Sequence, residues 1–205
     1  MPRFGPVPRF GDNRRARIGL LGGSFNPAHD GHRHIARLAL RRLRLRQVWL
    51  LVSPGNPLKP RDGMAEASDR LASARRIADG RRIVATDIER RVGTRFTVDT
   101  LRVLHRLFPH VSFVWIMGAD ILAELPKWRE WLAIADSTAL AVFPRPGYNH
   151  RALAGRAAVR MHAAHRRARE APVLAGMHPP AWLFLPAPQN AISATALRRA
   201  HYLPT

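Results

Sequence analysis

The run Arg17-Ile18-Gly19-Leu20-Leu21 passes directly into Gly22-Gly23-Ser24-Phe25-Asn26-Pro27-Ala28-His29-Asp30-Gly31-His32. An apolar run without polar alternation that ends on two glycines reads as a buried strand entering a tight turn. Over residues 31–45 the spacing becomes helical, with Ile35, Leu38, Ala39 and Leu43 on one face and Arg37, Arg41 and Arg44 on the other. Strand, loop and helix therefore follow one another within thirty residues. The glycine pair lets backbone approach a ligand without an intervening Cβ, and Pro27 stiffens the excursion. His29 and His32 stand at the helix start, where unpaired N–H groups and the helix dipole favour an anion. The loop has neither G-x-G-x-x-G nor Gly-Lys-Ser/Thr, so it is not a dinucleotide fingerprint or a P-loop. The helical zinc motif needs histidines at i, i+4 with a glutamate between them; here the spacing is i, i+3 and Gly31 intervenes.

Outward from this loop the same alternation continues. Residues 47–52 and 81–86 read as strands, 65–79 as the helix between them, and 87–96 as a loop. A helix is expected over 97–107, stopping before Pro109, and a strongly apolar strand over 111–117 runs into Gly118-Ala119-Asp120. Further strands are expected at 138–143 and 182–185, an Arg/Ala/His helix over 150–170 and a last helix over 192–200. Strands that are apolar throughout and separated by helices imply a parallel sheet covered on both faces. The expected fold is α/β, a Rossmann-like doubly wound parallel sheet in a single domain spanning 17–205. Residues 1–16, rich in Pro, Gly and Arg and without periodicity, read as a basic, disordered tail. Ligands of such sheets bind beyond the carboxyl ends of the strands, so the loops after the first, second, fourth and fifth strands are the places to search.

The formal charge of +20 invites a nucleic-acid reading. Its make-up argues otherwise: Lys59 and Lys127 are the only lysines, so 32 of the 34 basic residues are arginine. That skew resembles a codon-composition bias spread over every surface helix, and aromatics are few at 7%. No nucleic-acid partner is expected; the field would still attract polyphosphate anions. The absence of cysteine excludes disulfides, thiolate zinc sites and cysteine nucleophiles together. No apolar run approaches the ~20 residues of a membrane span and no signal-peptide core opens the chain, so no membrane partner and a cytoplasmic location are expected.

A second phosphate grip stands near the C-terminus, where Ser193 and Thr195 fall at a helix start and Arg198 lies about one turn further on. Hydroxyls, free N–H groups and a guanidinium in one place make a polyphosphate clamp, although hydroxyls there also serve as ordinary caps.

The first loop resembles the GGxF(D/N)PxHxGH signature, and residues 192–198 the ISxTxxR motif, of the nucleotidyltransferases related to class I aminoacyl-tRNA synthetases. Asn26 stands where aspartate is commoner; both cap a turn through a side-chain oxygen. Over residues 17–200 the sequence is most similar to the bacterial nicotinate-nucleotide adenylyltransferase family, through SPGNPLKP, GTRFTVDTL (93–101), WIMGADILAELPKWREW (115–131) and VFPRPG (142–147). The resemblance implies ATP contacts from Gly22, Gly23, Ser24, Phe25, His29, His32, Gly118, Asp120, Ser193, Thr195 and Arg198. It implies mononucleotide contacts from Asn56, Lys59, Thr97, Trp128 and Arg145, with Trp128 stacking on the pyridine ring. Arg95-Phe96 precedes Thr97 where the family usually has Ser-Tyr, keeping an aromatic and losing its hydroxyl.

The implied reaction joins ATP and nicotinate mononucleotide into nicotinate adenine dinucleotide and pyrophosphate. Catalysis would rest on His29, His32 and Arg198, with Mg²⁺ accompanying ATP and no protein metal ligands. Simpler roles compete at single positions: Asp120 as a helix cap, Arg145 as one more surface arginine, and Trp49, Trp115 and Trp131 as core. Phosphopantetheine and nicotinamide mononucleotide are the rival acceptors.

Overall fold

The computed structural model describes residues 7–55 and 63–187. β1 (Ala16–Gly23) leads into α1 (Asp30–Arg42), β2 (Gln47–Val52), α2 (Ala67–Ile77), β3 (Ile83–Thr86), α3 (Ile88–Val92) and α4 (Thr97–Leu107). Then follow β4 (Val111–Gly118), α5 (Ala119–Glu124), a 3₁₀ turn at Leu125–Lys127, α6 (Trp131–Ser137) and β5 (Ala139–Phe143). The last described part holds α7 (Asn149–Leu153), α8 (Arg156–Arg160), β6 (His165–Arg166), a 3₁₀ stretch Ala168–Gly176 and β7 (Trp182–Phe184). The strands form one sheet in the order β3-β2-β1-β4-β5-β7-β6, every pair parallel. Strand order reverses between β1 and β4, and the chain leaves both strands at the same edge of the sheet.

Successive residues of a strand face opposite sides, and the apolar runs fill two cores accordingly. On one side Ile18, Leu20, Trp49, Leu51, Phe113, Trp115 and Met117 pack against Val98, Leu101 and Leu104 of α4 and Leu122 of α5. On the other, Val48, Leu50, Val114 and Ile116 pack against Leu38, Ala39 and Leu40 of α1 and Leu71 and Ala74 of α2. The doubly wound parallel sheet expected from the sequence is the fold found. The last helix expected, 192–200, lies outside the described residues. Among the described residues, no helix is long and apolar enough to cross a membrane.

Three expectations are corrected. The single helix over 150–170 is replaced by α7, α8, a 3₁₀ turn and the edge strand β6. Gly155 caps α8 in an extended conformation, and a Cβ there would lie 2.7 Å from the Arg151 carbonyl oxygen. The His165 ring stacks on Trp182 at 4.2 Å, whose indole N–H donates to the Met161 carbonyl. Pairing with β7 thus overrides the alanine-rich helical propensity. The loop expected at 87–96 contains α3, closed by Gly93 in the left-handed conformation. Within the segment read as a disordered tail, residues 7–15 lie against the domain. Val7 is buried, its carbonyl accepts from Arg91, and the Arg14 guanidinium pairs with Asp12 while lying over Trp49 and Phe108.

Candidate active site

The β1–α1 connection crosses the carboxyl edge of the sheet at the reversal of strand order, the position at which open α/β sheets bind ligands. Gly22 is required there by packing: a Cβ would lie 2.8 Å from Cη2 of Trp115 on the neighbouring strand. Phe25 adopts φ 50°, left-handed and costly for a residue with a side chain, and turns the loop back on itself. Its buried ring then lies 4.9 Å from that of His32. The Asn26 side chain donates to the Gly63 carbonyl at 2.7 Å and accepts from the Ala65 N–H, tying this loop to the segment that enters α2. Ala28 N–H donates to Ser73 of α2.

His29 and His32 form a reciprocal cap at the start of α1. His29 Nδ1 accepts from the Gly31 N–H at 3.1 Å, and His32 Nδ1 accepts from the His29 N–H at 3.2 Å. An Nδ1 that accepts carries no proton, so each neutral ring has its N–H at Nε2. The rings lie 3.9 Å apart. Burial, the neighbouring His29 and the Arg145 charge push His32 down to about 3, although part of its surface stays open to the cleft. Burial and Arg145 lower His29 as well, against a small opposing effect of Asp30. Both imidazoles are therefore neutral donors near pH 7, held in one tautomer before any ligand arrives.

A cleft of about 810 Å³ opens in front of them. Of the residues expected to bind, Gly22, Gly23, Ser24, His29, His32, Gly118 and Asp120 line it, as do Thr97, Trp128 and Arg145. Phe25 does not: it is buried beneath the loop and supports His32 from behind. Asn56, Lys59, Ser193, Thr195 and Arg198 lie outside the described residues. Trp128 follows the Leu125–Lys127 turn, half-buried, its ring 6.2 Å from that of Trp115 in an edge-to-face arrangement. Trp115, read as core, is buried and also forms cleft wall. The Asp120 carboxylate folds back over Gly118, where a Cβ would lie 2.3 Å from its Oδ1.

Sequence reasoning passed over several residues here. Glu89 of α3 lines the cleft floor, buried, accepting from Thr100 at 3.0 Å; burial pushes its carboxyl up to about 7 against that hydrogen bond. Arg70 of α2 is buried behind the cleft, bonded to backbone carbonyls. Its signal was an arginine on the inner face of a helix, beside Leu71, Ser73 and Ala74. Tyr148 lines the cleft as well, as do Arg95 and Phe96, already noted for standing where the family has Ser-Tyr.

The glycine–histidine loop lies where the strand order of the parallel sheet reverses, and residues 20–200 match the cytidylyltransferase-like family model, which makes the chain a nucleotidyltransferase. The chain is 61% identical over 192 residues to a "Probable nicotinate-nucleotide adenylyltransferase" of Gluconacetobacter diazotrophicus, covering 94% of this chain and 89% of that one. It is 63% identical over 184 residues to the protein of the same description from Gluconobacter oxydans, covering 90% and 94%. The fold matches Plasmodium falciparum nicotinic acid mononucleotide adenylyltransferase complexed with NaAD, with a TM-score of 0.65, 16% identity and coverage of 89% and 82%. The chain belongs to the cytidylyltransferase-like family and, within it, to the nicotinate-nucleotide adenylyltransferases.

Proposed function

We propose that this enzyme transfers the adenylyl group of ATP to nicotinate mononucleotide, releasing pyrophosphate and nicotinate adenine dinucleotide. The observation that carries the reading is the pair of imidazoles fixed as Nε2–H donors in the same cleft as Arg145 and Trp128. A phosphate oxygen of the mononucleotide attacks the α-phosphorus of ATP. The bond from that phosphorus to the oxygen bridging to the β-phosphate breaks, and its electron pair leaves with pyrophosphate. A phosphate monoester has its second pKa near ~6, so the nucleophile is already an anion and needs no general base. Catalysis is then alignment of the two phosphates and hydrogen bonding to the charge that moves between them.

In this reading His29 and His32 donate to the ATP phosphates, and Gly22, Gly23 and Ser24 bring backbone close to the nucleotide. Gly118 and Asp120 lie along its ribose. Trp128 offers a ring face to the pyridine, Arg145 meets the mononucleotide phosphate, and Thr97 closes the same end. Asn56 and Lys59 on that side, and Ser193, Thr195 and Arg198 on the β- and γ-phosphates, complete the assignment from the sequence motifs. Among the described residues no three His, Asp or Glu side chains converge to hold a metal. Mg²⁺ would enter on the triphosphate, with phosphate and water as most of its ligands, and when bound would offset charge on the pyrophosphate. In this reading the reaction runs in the cytoplasm, where both phosphorylated substrates are held.

The test offers nicotinate mononucleotide, its amide and phosphopantetheine in turn, with ATP and Mg²⁺, and follows pyrophosphate release. The expected order has nicotinate mononucleotide first by kcat/KM. Preference for phosphopantetheine would overturn the proposal.

A further inference from the structure

Arg70 is a cation that faces no substrate and is spent on backbone. It is 2% exposed. Its Nη1 donates to two carbonyls, Ser53 at 2.7 Å and Ser24 at 3.0 Å, and its Nε donates to Ala65 at 2.9 Å. Ser24 and Ser53 follow the ends of β1 and β2, and both face the cleft. The parallel ladder between these strands closes with the Ser53 N–H donating to the Gly23 carbonyl at 3.0 Å. Beyond that bond the ladder gives the two connections no fixed separation. One nitrogen with two hydrogens, set in the plane of a guanidinium, supplies it. The same helix holds Ala28 through Ser73, three residues from Arg70.

Burying a cation against neutral carbonyls costs desolvation that an apolar side chain of equal volume would not. What the guanidinium supplies in return is geometry. We infer that Arg70 is a positioning residue for catalysis: through the Ser24 and Ser53 carbonyls it fixes the distance between the two cleft walls after β1 and β2, and so the alignment of the two substrates. Lysine cannot replace it, because one ammonium on a flexible stem does not place two donors in a fixed plane.

The inference rests on the proposed adenylyl transfer, and the experiment separates the two. Wild type, Arg70→Lys and Arg70→Gln are compared for cooperative unfolding by circular dichroism and for kcat and both KM values well below the unfolding midpoint. ATP affinity is measured in parallel by calorimetry without acceptor. The expected result is folded variants whose kcat falls roughly 10–100-fold, with both KM values raised together, because misplacement by about 1 Å costs on that order. Variants folded like wild type with kcat/KM within about twofold for both substrates would overturn the inference. So would loss of the cooperative transition in both, which would make Arg70 a core residue only. If wild type releases no pyrophosphate with nicotinate mononucleotide, the acceptor assignment falls. Arg70 is then judged on ATP affinity alone, a loss of about tenfold or more in Arg70→Lys supporting it and an unchanged affinity overturning it.

Discussion

At the scale of single residues, the proposed role of the histidine pair is exerted through hydrogen bonds rather than charge. With His32 at about 3 and His29 below its usual value, neither loses a proton between pH 7 and 9. The kcat/KM profile should therefore show an acid limb near ~6 from the acceptor phosphate and no fall from histidine above it. His32→Ala should lower kcat by roughly 100-fold while the protein remains folded, through loss of one preorganised donor; wild-type turnover would remove His32 from catalysis. Trp128→Ala should raise KM for nicotinate mononucleotide and leave KM for ATP unchanged, since a stack acts alike on ground and transition states. Equal effects on both substrates would count against stacking. Glu89 and His32 also oppose one another in stability. Glu89 titrates at about 7 when folded against 4.5 in the open chain, so the folded state holds a proton the unfolded chain has lost, and stability falls as pH rises across that window. His32 runs the other way, with stability falling as pH drops from 6.5 towards about 3. Glu89→Gln keeps an acceptor for Thr100 and removes the charge. It should gain stability over wild type at pH 8, on the order of 3 kcal/mol, and lose the advantage near pH 4.5. Urea unfolding at the two pH values measures this, and an equal difference at both would refute the assignment.

At the scale of elements, the wall between β1 and β4 is where packing meets the proposed substrate site. Gly22→Ala would force Trp115 aside, and Trp115 holds Trp128 edge-to-face. The substitution should lower kcat/KM for nicotinate mononucleotide by about tenfold or more while the sheet still folds. Intrinsic fluorescence would report the tryptophan shift, and an unchanged spectrum with unchanged kinetics would contradict it. This wall also shows what a sequence discloses. β1, β2, β4 and β5 were legible because a strand buried on both faces must be apolar throughout, and α1 and α4 because one face of each is apolar. The glycine–histidine loop was legible because few other structures require that string. What stayed hidden depends on partners far away in the chain. Arg70 is one arginine among 32 until Ser24 and Ser53 are brought to it. Glu89 looked like loop until Thr100 closed over it. The stretch 149–176 has helical composition, yet its edge strand exists because β7 is there to pair with.

At the scale of the whole molecule, the question is what a charge of +20 does for an enzyme with small anionic substrates. His29 and His32 contribute no charge at neutral pH, so among the described residues the charges lining the cleft are Arg95, Lys127, Arg129 and Arg145, set against Asp120, Glu124 and a half-titrated Glu89. That local excess continues outward into a surface where arginines such as Arg37, Arg41 and Arg44 stand exposed on α1 and just beyond its end. A field of one sign that converges on a cleft raises the encounter rate with ATP and contributes little once the ligand is seated, where short hydrogen bonds take over. Salt separates the two contributions, because screening shortens to about 4 Å at about 0.5 M and removes long-range attraction before it disturbs buried contacts. Raising KCl from about 0.02 M to about 0.5 M should therefore lower kcat/KM for ATP by roughly three- to tenfold and leave kcat nearly constant. A parallel fall in kcat would mean that screened surface charge acts in the transition state. A kcat/KM independent of salt would mean that the arginine excess plays no part in capturing the nucleotide.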